Sequence, residues 1–584
     1  MNILGINDGH HCGACLFINK KLIFAMSEER LSRKKNEYGF PKLSINKCLN
    51  ILGKKKVDFI AVSTKLLPPK YFAVKRNNTF TVNDYLKEQN AYWYEKIYKK
   101  KTIKYLDVFK HKIIESRYQH YRLDKIDEDD SIEMQNRRLE GISNYTKVNK
   151  KNIFFIDHHE CHALYGLFSS GRYNQNSLVV TSDGGGDNTN GSVWVNTKKS
   201  FENVYRTNLC NIGRMYRYAT LLLGFKPTEH EYKIMGLAGY ASENSSYYDE
   251  VKKIYADTLN VKDSKFYYKS KPKDNFFYFK DKLEGARFDT ISFGIQYNTE
   301  RLFIDWFDQL IKKFKHKNII FSGGVAQNIK STKKISENVK LDSLFVPPGP
   351  GDESISIGAC ISLLKKFQPK IKFSQILNPY LGTNYNKNEL DFLKKKKNIL
   401  IKRVTTKDIS KLIFSGEVVA RFSLNQSEFG PRALGNRSII ASPSNFMTIH
   451  KINKKIKVRD FWMPFAPSML PSEYKRLLKK NNKLHHTYMT ASADGTNIGI
   501  KNISAALHPF DSTSRPHVVI KKHNPEFYQL LEEYKKISGY GCLLNTSFNI
   551  HGDPIVESPL DAYKTLMKTG LKYLYIGDLL VTKK

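Results

Sequence analysis

The chain has 584 residues and a mass of 67.5 kDa, which exceeds what one hydrophobic core can organise and predicts at least two domains. Its 41% hydrophobic and 12% aromatic residues exclude a disordered chain, and its formal charge of +39 favours anionic partners such as nucleotides, phosphorylated metabolites or nucleic acid. No stretch approaches the roughly 20 apolar residues of a membrane helix and no charged leader precedes the first strand, so we expect a cytoplasmic protein without a membrane segment.

The first predicted element is a hairpin at the N-terminus. The apolar run Ile3 to Ile6 predicts a strand, the residues Asn7 to His11 predict a tight polar turn, and Ala14 to Ile18 predict a second strand. A hairpin whose first turn carries Asp-Gly is how actin-like ATPase domains present a loop to phosphate. Cys12 and Cys15 form a CxxC pair, but no second pair supports a zinc site, so we interpret them as part of a buried strand.

A segment rich in tyrosine and lysine extends from about residue 66 to residue 151. Its helical periodicity, as in Tyr92 to Tyr98, predicts a helical insertion between two strands of the core. The residues of this insertion indicate no particular chemistry.

The segment Asp157 to Ala163 follows an apolar strand and opens a predicted helix. On a helix His158 and His162 are four residues apart, so both imidazoles leave one face and can share a metal ion, whereas His159 points off that face. Two acidic, glycine-containing loops that also follow predicted strands, 183–187 and 349–353, have the composition to complete this site. The alternative, in which one histidine caps the helix and the others are solvated, is disfavoured by these loops.

A glycine turn follows the next buried strand, because Asn318 to Asn328 predicts a strand, a Gly323-Gly324 turn and a helix start. This arrangement aims backbone N–H groups at a phosphate. Together with the two acidic loops, the turn favours a duplicated actin-like cleft over an ordinary doubly wound fold. Pro369 and Pro379 flank a polar connection, so we place the domain boundary between residues 370 and 371.

The second domain contains the densest motif of the chain, Glu428 to Ile439, in which Arg432 and Arg437 lie five residues apart. A loop of this kind, held by glycine and proline, suits bidentate binding of an anion. Three further polar clusters interrupt apolar runs at residues 457–459, 511–516 and 545–549. Exposed salt bridges would explain any one of these clusters, but the four together indicate one anion pocket.

These motifs, in this order, resemble the O-carbamoyltransferase family of nodulation-factor, cephamycin, novobiocin and tobramycin biosynthesis. The resemblance covers nearly the whole chain, and its most specific segments are 428–438 and 544–549. It is carried by Gly5 to His10, Glu28 to Arg30, His158 to Ala163, Asp183 to Asp187, Glu231 to Leu237, Gly323 to Asn328, Gly351 with Asp352, Glu428 to Ser438, Phe461 to Pro467 and Leu544 to Asn549.

The resemblance implies an α/β fold with an N-terminal duplicated actin-like (ribonuclease H-like) ATPase-fold domain, residues 1–370, and a C-terminal YrdC-like domain, residues 371–584. In this family the C-terminal domain makes carbamoyl-adenylate from Mg-ATP and carbamoyl phosphate. The N-terminal domain then transfers the carbamoyl group to a hydroxyl of a sugar or another small molecule. The expected partners are therefore ATP, carbamoyl phosphate and that acceptor, and a homodimer is left open.

Position by position, the resemblance also implies roles for individual residues. Fe(II) or a similar divalent ion would be held by His158, His162, Asp183 and Asp352. Nucleotide binding is assigned to Gly184, Gly185, Gly323, Gly324, Asn328, Lys457 and Arg459. Carbamoyl phosphate binding is assigned to Arg432, Arg515, Asn545 and Ser547, and catalysis in the C-terminal domain to Arg432, Arg437 and Arg515.

His10 is the candidate general base for the acceptor hydroxyl, because an imidazole titrates near neutrality and can accept that proton. A purely structural role in its turn stays open. The chain departs from the family pattern at His11, where Asp or Asn is common, and at His517, where Gln is common. The first departure puts the acid–base assignment in question.

Two other functions are kept open. One is carbamoylation of a tRNA base, which the net charge would suit. However, the excess charge is mostly lysine in dispersed runs such as Lys54 to Lys56, which indicates a lysine-rich composition, so a nucleic-acid partner is not expected. The other is a nucleotide-binding scaffold, which would need neither two arginine clusters nor a metal site.

Overall fold

The structure is a computed structural model that describes residues 1–114, 118–121, 123, 126–241, 245–371, 373 and 375–584. The protein is a mixed α/β chain that divides into two compact units. Unit 1 comprises Met1–Ser32 and Asn36–Leu377, and unit 2 comprises Arg33–Lys35 and Asn378–Lys584.

The first sheet of unit 1 has five strands in the order β3-β2-β1-β4-β5. Strands β1 to β3 are antiparallel, whereas β4 and β5 are parallel to β1. Apolar side chains such as Leu4, Ile6 and Leu16 are buried in its core. The strands are β1 (Asn2–Asn7), β2 (Gly13–Ile18), β3 (Lys21–Ser27), β4 (Phe59–Ser63) and β5 (Ile153–Ile156).

The second sheet of unit 1 repeats this topology. Three antiparallel strands, β6 (Ser177–Gly186), β7 (Thr189–Asn196) and β8 (Phe201–Thr207), are extended by the parallel strands β11 (Asn318–Ser322) and β12 (Ser343–Phe345). The order is β12-β11-β6-β7-β8, so β6 corresponds to β1 and β12 corresponds to β5. A separate hairpin contains β9 (Leu259–Lys262) and β10 (Lys265–Tyr268).

The helices of unit 1 cover these sheets, and those between β4 and β5 form a largely helical excursion. They are α1 (Glu28–Ser32), α2 (Lys42–Leu52), α3 (Pro69–Val74), α4 (Arg76–Thr79), α5 (Val82–Lys87), α6 (Glu95–Ile97), α7 (Tyr105–Val108), α8 (Tyr118–Tyr121), α9 (Ser131–Thr146), α10 (His158–Ser170), α11 (Ile212–Leu222), α12 (Glu231–Leu237), α13 (Asp249–Ala256), α14 (Asn275–Lys282), α15 (Phe288–Phe314), α16 (Ile329–Asn338) and α17 (Ile355–Phe367).

Helices α10 and α17 occupy corresponding positions, because each follows the last strand of its sheet. They pack closely at Gly358, where a Cβ atom would lie 1.9 Å from the carbonyl oxygen of Cys161. Only glycine can therefore occupy this position. The contact brings together the N-terminal turns of α10 and α17.

Asp8 follows β1 and is therefore the topological counterpart of Asp183 at the end of β6. Its carboxylate is fully buried and accepts two hydrogen bonds from Arg138 of α9, with Nε–Oδ2 and Nη2–Oδ1 distances of 2.9 and 2.7 Å. The hydroxyl of Tyr121 donates a third hydrogen bond to Oδ2 at 2.8 Å. The predicted phosphate-facing loop thus has its carboxylate occupied by residues of the helical excursion.

Replacing Arg138 by alanine should lower the free energy of unfolding by about 3 to 5 kcal/mol, because it leaves the Asp8 carboxylate buried without its cation. The measurement is urea unfolding at neutral pH. Arg137→Ala is the matched control, since Arg137 is on the same turn but its partner Glu133 is partly exposed. We expect that control to change stability by about 0.5 kcal/mol or less, and equal losses in the two variants would contradict the assignment.

Unit 2 is built on an eight-stranded sheet in the order β13-β22-β21-β14-β15-β20-β16-β19, with β17 and β18 in a separate pair. Apolar clusters cover both faces, since Ala420 lies in one core cluster and Val419 in the other. The strands are β13 (Ile399–Arg403), β14 (Val419–Phe422), β15 (Arg437–Ala441), β16 (Ala466–Met469), β17 (Ala493–Asp494), β18 (Thr513–Ser514), β19 (His517–Val518), β20 (Cys542–Ser547), β21 (Tyr573–Ile576) and β22 (Leu579–Lys583).

The helices of unit 2 are α18 (Thr406–Phe414), α19 (Met447–Ile452), α20 (Pro471–Leu477), α21 (Asn497–Asn502), α22 (Pro525–Ser538) and α23 (Pro559–Lys568). Across both units, none of the helices within the described ranges combines the length and apolar character needed to cross a membrane.

Candidate metal centre and anion-binding cluster

The structure brings together the four side chains that were predicted as metal ligands. One ligand atom from each of His158, His162, Asp183 and Asp352 lies within 4.8 Å of the other three. His162 Nε2 is 2.9 Å from Asp183 Oδ2 and 3.3 Å from Asp352 Oδ1, while His158 Nε2 is 3.7 and 3.6 Å from the same two oxygens. The histidines come from the first turns of α10, and the carboxylates come from β6 and from the segment before α17.

The chemistry of this quartet fits a divalent cation. Both imidazoles are buried and direct Nε2 at the carboxylates. Burial lowers the pKa of His162, but hydrogen bonds with Asp183 and Asp352 outweigh burial and raise that pKa to about 10. The centre of the cluster therefore attracts positive charge. Two imidazoles and two carboxylates are ligands that first-row divalent metals accept.

His159 lies outside the quartet, as its position on the helix predicted. Its Nδ1 is 2.7 Å from Thr181 Oγ1 and its Nε2 is 3.1 Å from the carbonyl oxygen of Thr189. Burial lowers the pKa of His159 to about 3, so its imidazole is neutral and forms part of the core.

His10 lies in the turn after β1, where its ring stacks on His11 with centroids 3.8 Å apart. Burial lowers the pKa of His10 well below its usual value, which keeps the imidazole neutral and also weakens it as a base. The side-chain amide of Asn7 donates to the carbonyl oxygens of His10 at 2.8 Å and of Asp352 at 2.9 Å. Asn7 thus joins the backbone of the candidate base to that of a predicted metal ligand.

The glycine turns are used differently from the prediction. The N–H groups of Gly323 and Gly324 donate within the chain, to the carbonyl oxygen of Pro350 at 2.9 Å and to Asp183 Oδ2 at 3.2 Å. Gly323 has φ of 95°, and a Cβ atom there would lie 2.2 Å from the carbonyl oxygen of Ser182. This turn therefore orients a carboxylate of the quartet, and its two N–H groups are not aimed at a phosphate.

The other residues predicted to bind nucleotide in unit 1 also have local roles. Asn328 caps α16, because its Oδ1 accepts the N–H of Ser331 at 3.0 Å. The N–H of Gly184 donates to Asp183, and Gly185 has φ of 139°, which favours glycine. Their contacts with a nucleotide stay predictions.

Unit 2 contains a second polar cluster, centred on Lys457. Its ammonium group donates to Asn549 Oδ1 at 2.8 Å and to Ser547 Oγ at 3.1 Å, and Arg459 Nη2 donates to Thr546 Oγ1 at 3.0 Å. Burial, reinforced by the charge of Arg459, lowers the pKa of Lys457 well below its usual value. The structure thus brings together three of the predicted residues, Lys457, Arg459 and Ser547.

Asn549 was not among the predicted site residues. The signal that could have identified it is its position two residues after Ser547 at the end of β20, within the segment that carries the resemblance. Its amide nitrogen donates to the carbonyl oxygens of Ile550 and Asp553 at 2.7 and 2.8 Å, which directs Oδ1 at Lys457.

Arg437 takes a different place from the predicted phosphate-binding arginine. Its side chain is fully buried, lies 3.8 Å from the centre of the Phe422 ring, and donates to the carbonyl oxygens of Ser423 and Thr383 at 2.7 and 3.4 Å. This guanidinium therefore holds the loop that precedes β15. The role of Arg437 in catalysis stays a prediction, because an arginine in a Gly-Pro loop has the same sequence whether it points inward or outward.

The remaining predicted residues of unit 2 lie on loops or at the sheet. Arg432 and Arg515 are partly exposed, in the segments before β15 and β19, and their anion contacts stay predictions. Asn545 donates to Ser468 Oγ at 2.8 Å, and Ser468 Oγ lies 3.0 Å from Nδ1 of His517. His517 is thus part of a buried polar chain behind Asn545.

Comparisons with known proteins agree with this division into two units. The family model described as carbamoyltransferase N-terminus matches residues 2–361, and that described as carbamoyltransferase C-terminus matches residues 410–583. An uncharacterized protein of Methanocaldococcus jannaschii is 32% identical over 100% of this chain and 99% of its own length.

Two relatives have names that state a function or role. Nodulation protein NolO of Bradyrhizobium diazoefficiens is 30% identical over 74% of this chain and 79% of its own length. The 3'-hydroxymethylcephem-O-carbamoyltransferase of Streptomyces clavuligerus is 24% identical over 48% of this chain and 52% of its own length. With a family match in each unit and a relative aligned from end to end, this chain belongs to the carbamoyltransferase family and is an enzyme that transfers carbamoyl groups.

Proposed function

We propose that the protein is an ATP-dependent O-carbamoyltransferase with two sites in one chain. Unit 2 makes carbamoyl-adenylate from carbamoyl phosphate and Mg-ATP, and unit 1 transfers the carbamoyl group to a hydroxyl of a sugar or another small molecule. The observation that carries the proposal is the quartet of His158, His162, Asp183 and Asp352, which is distinct from the cationic cluster around Lys457. One reaction centre would not need both.

The proposed first reaction forms a mixed anhydride. Water hydrolyses carbamoyl phosphate to carbamate and phosphate, and a carbamate oxygen then attacks the α-phosphorus of ATP, so that pyrophosphate leaves with the electrons of the broken P–O bond. Lys457 and Arg459 supply positive charge for the phosphates, and Ser547 and Asn549 hold the Lys457 ammonium group in place. Arg432 and Arg515 are the additional phosphate-binding residues of this proposal.

The proposed second reaction breaks that anhydride. His158, His162, Asp183 and Asp352 would hold Fe(II) or a similar divalent ion, which when bound supplies Lewis-acid polarisation of the carbamoyl carbonyl group. The acceptor oxygen forms a bond to the carbamoyl carbon, AMP leaves, and neutral His10 accepts the hydroxyl proton. Asn7 keeps the His10 turn next to the backbone of Asp352.

The fold assignments of this proposal rest on topology and on the family. The order β3-β2-β1-β4-β5, repeated as β8-β7-β6-β11-β12, supports a duplicated actin-like (ribonuclease H-like) domain for unit 1. The YrdC-like assignment of unit 2, the cytoplasmic location and the identity of the metal are parts of the proposal that the resemblance supports.

The test is product analysis with metal-replete protein, Mg-ATP, carbamoyl phosphate and a panel of mono- and disaccharides. We expect pyrophosphate, phosphate and AMP in solution, and a mass gain of one carbamoyl group on an acceptor. No consumption of ATP would refute the proposal. Carbamoylation of added tRNA in place of every sugar would show that the acceptor is a nucleic acid.

A further inference from the structure

One predicted ligand of the quartet, His158, forms a hydrogen bond through the ring nitrogen that faces away from the carboxylates. His158 directs Nε2 at the carboxylates, and its other ring nitrogen, Nδ1, lies 2.9 Å from the hydroxyl oxygen of Thr64. Both residues are buried, with 3% of each exposed. Nδ1 of His162 has no hydrogen-bond partner among the described residues, so the two imidazoles are held differently.

Thr64 has an unfavourable backbone conformation. It directly follows β4, and its φ of 66° lies in the left-handed region. Left-handed conformations are rare for β-branched residues, because the branched Cβ crowds the backbone. Such strain persists only where the surroundings enforce it, and it is concentrated at functional sites.

Asp187 enforces this conformation from the β6–β7 turn. Its Oδ1 accepts the N–H of Leu66 at 2.7 Å, and its Oδ2 accepts the N–H groups of Lys65 at 3.1 Å and of His158 at 2.7 Å. One carboxylate therefore joins the loop after β4 to the first residue of α10. Because a helix N-terminus carries a partial positive charge, the anion also suits this place electrostatically.

Gly186 completes the surroundings of the His158 ring. A Cβ atom at this position would lie 2.3 Å from Cγ and 2.5 Å from Cδ2 of the imidazole. The ring thus packs directly against the backbone of β6, in the space that a side chain of residue 186 would fill. This contact prevents the ring from rotating further toward β6.

We propose that Thr64 and Asp187 are positioning residues for His158. Thr64 Oγ1 accepts the hydrogen of Nδ1 and so selects the tautomer in which Nε2 carries the lone pair for a metal. Asp187 accepts hydrogen bonds both from the loop after Thr64 and from the first residue of α10. It therefore fixes the position of Thr64 relative to the His158 ring and holds Thr64 in its strained conformation. This inference rests on the proposed metal centre and adds the residues that prepare it.

The test is a series of substitutions at Thr64 in the full chain, with Co²⁺ as the probe. Thr64→Val keeps the shape of the side chain but removes the hydroxyl group, so the Co²⁺ dissociation constant should rise roughly 10- to 100-fold. Thr64→Ser keeps the hydroxyl group and should retain the wild-type constant within about threefold, given that the acceptor is unchanged. Affinity is measured by competition with a chromophoric chelator, and the visible spectrum of bound Co²⁺ reports its coordination.

Thr64→Gly separates positioning from stability. Glycine adopts φ of 66° without strain, so the melting temperature of the chelator-treated protein should not fall, while Co²⁺ affinity should decrease as in Thr64→Val. Wild-type affinity in Thr64→Val or in Thr64→Gly would overturn the inference. A loss of Co²⁺ affinity accompanied by a lower melting temperature of the chelator-treated Thr64→Gly variant would also overturn it, because that result would indicate a merely structural role.

The wild-type protein distinguishes this inference from the proposed function. Failure of the wild-type protein to bind Co²⁺ would refute the metal centre itself. Binding of Co²⁺ by the wild-type protein, with an unchanged spectrum and affinity in Thr64→Val, would refute only the role of Thr64.

Discussion

Replacing His162 by alanine is expected to reduce carbamoyl transfer about 1000-fold and to leave pyrophosphate release unchanged. The His162 side chain is fully buried, and its Nε2 lies closer to both carboxylates of the quartet than Nε2 of His158 does. Its loss leaves Asp183 and Asp352 as two neighbouring carboxylates with a single imidazole. The measurement combines AMP formation, mass analysis of the acceptor and a separate pyrophosphate assay.

Glu160→Gln is the matched control for that variant. Glu160 is on the same turn of α10, but its carboxylate accepts the hydroxyl hydrogen of Ser362 at 2.6 Å and lies outside the quartet. We expect transfer by this control within about threefold of the wild-type rate, because glutamine has the same shape and its side-chain oxygen can still accept the hydrogen bond from Ser362. An equal loss in both variants would indicate damage to α10, and retained transfer in His162→Ala would contradict the metal centre.

Replacing Lys457 by methionine is expected to reduce adenylate formation and to spare carbamoyl transfer, which is the opposite of the effect expected for His162→Ala. Pyrophosphate release should fall about 100- to 1000-fold, because the charge that faces Ser547 and Asn549 is lost. The fold should persist, since methionine has a similar length and burial already opposes the charge of Lys457. The assay is pyrophosphate release with carbamoyl phosphate and Mg-ATP at saturating concentrations.

Lys454→Met provides the control in the same segment, because Lys454 is exposed whereas Lys457 is buried. Both changes remove one positive charge, so a general effect of net charge on ATP binding would appear in both variants. Unaltered pyrophosphate release by Lys457→Met would place adenylate formation elsewhere.

Local patterns in the sequence were sufficient to predict that the four side chains of the quartet lie together. His158 and His162 have i, i+4 spacing on a helix, and the two carboxylates lie at the ends of strands. This pattern predicts that the four side chains converge where those strands end. A duplicated cleft was also expected, from the Gly323-Gly324 turn and the two acidic loops, but the order of the strands in each sheet was not. In both cases the determining interactions are short-range or are implied by strand topology.

The supporting contacts could not be predicted in this way. Arg138 meets Asp8, and Asp187 meets the loop after Thr64, across separations of 130 and about 120 residues, and no periodicity encodes such pairs. Arg437 illustrates the same difficulty, because only the packing of Phe422 and the carbonyl groups around it shows that the guanidinium points inward. The N–H groups of Gly323 and Gly324 likewise had partners that only the folded chain identifies.

The central claim is that one unit makes carbamoyl-adenylate and the other consumes it. The most direct measurement is AMP release from added carbamoyl-adenylate, in the presence of a reactive acceptor, by the His162→Ala and Lys457→Met variants. We expect Lys457→Met to release AMP at close to the wild-type rate and His162→Ala to release it about 1000-fold more slowly. A Lys457→Met variant that does not use the added adenylate, or a His162→Ala variant that uses it at the wild-type rate, would contradict the account.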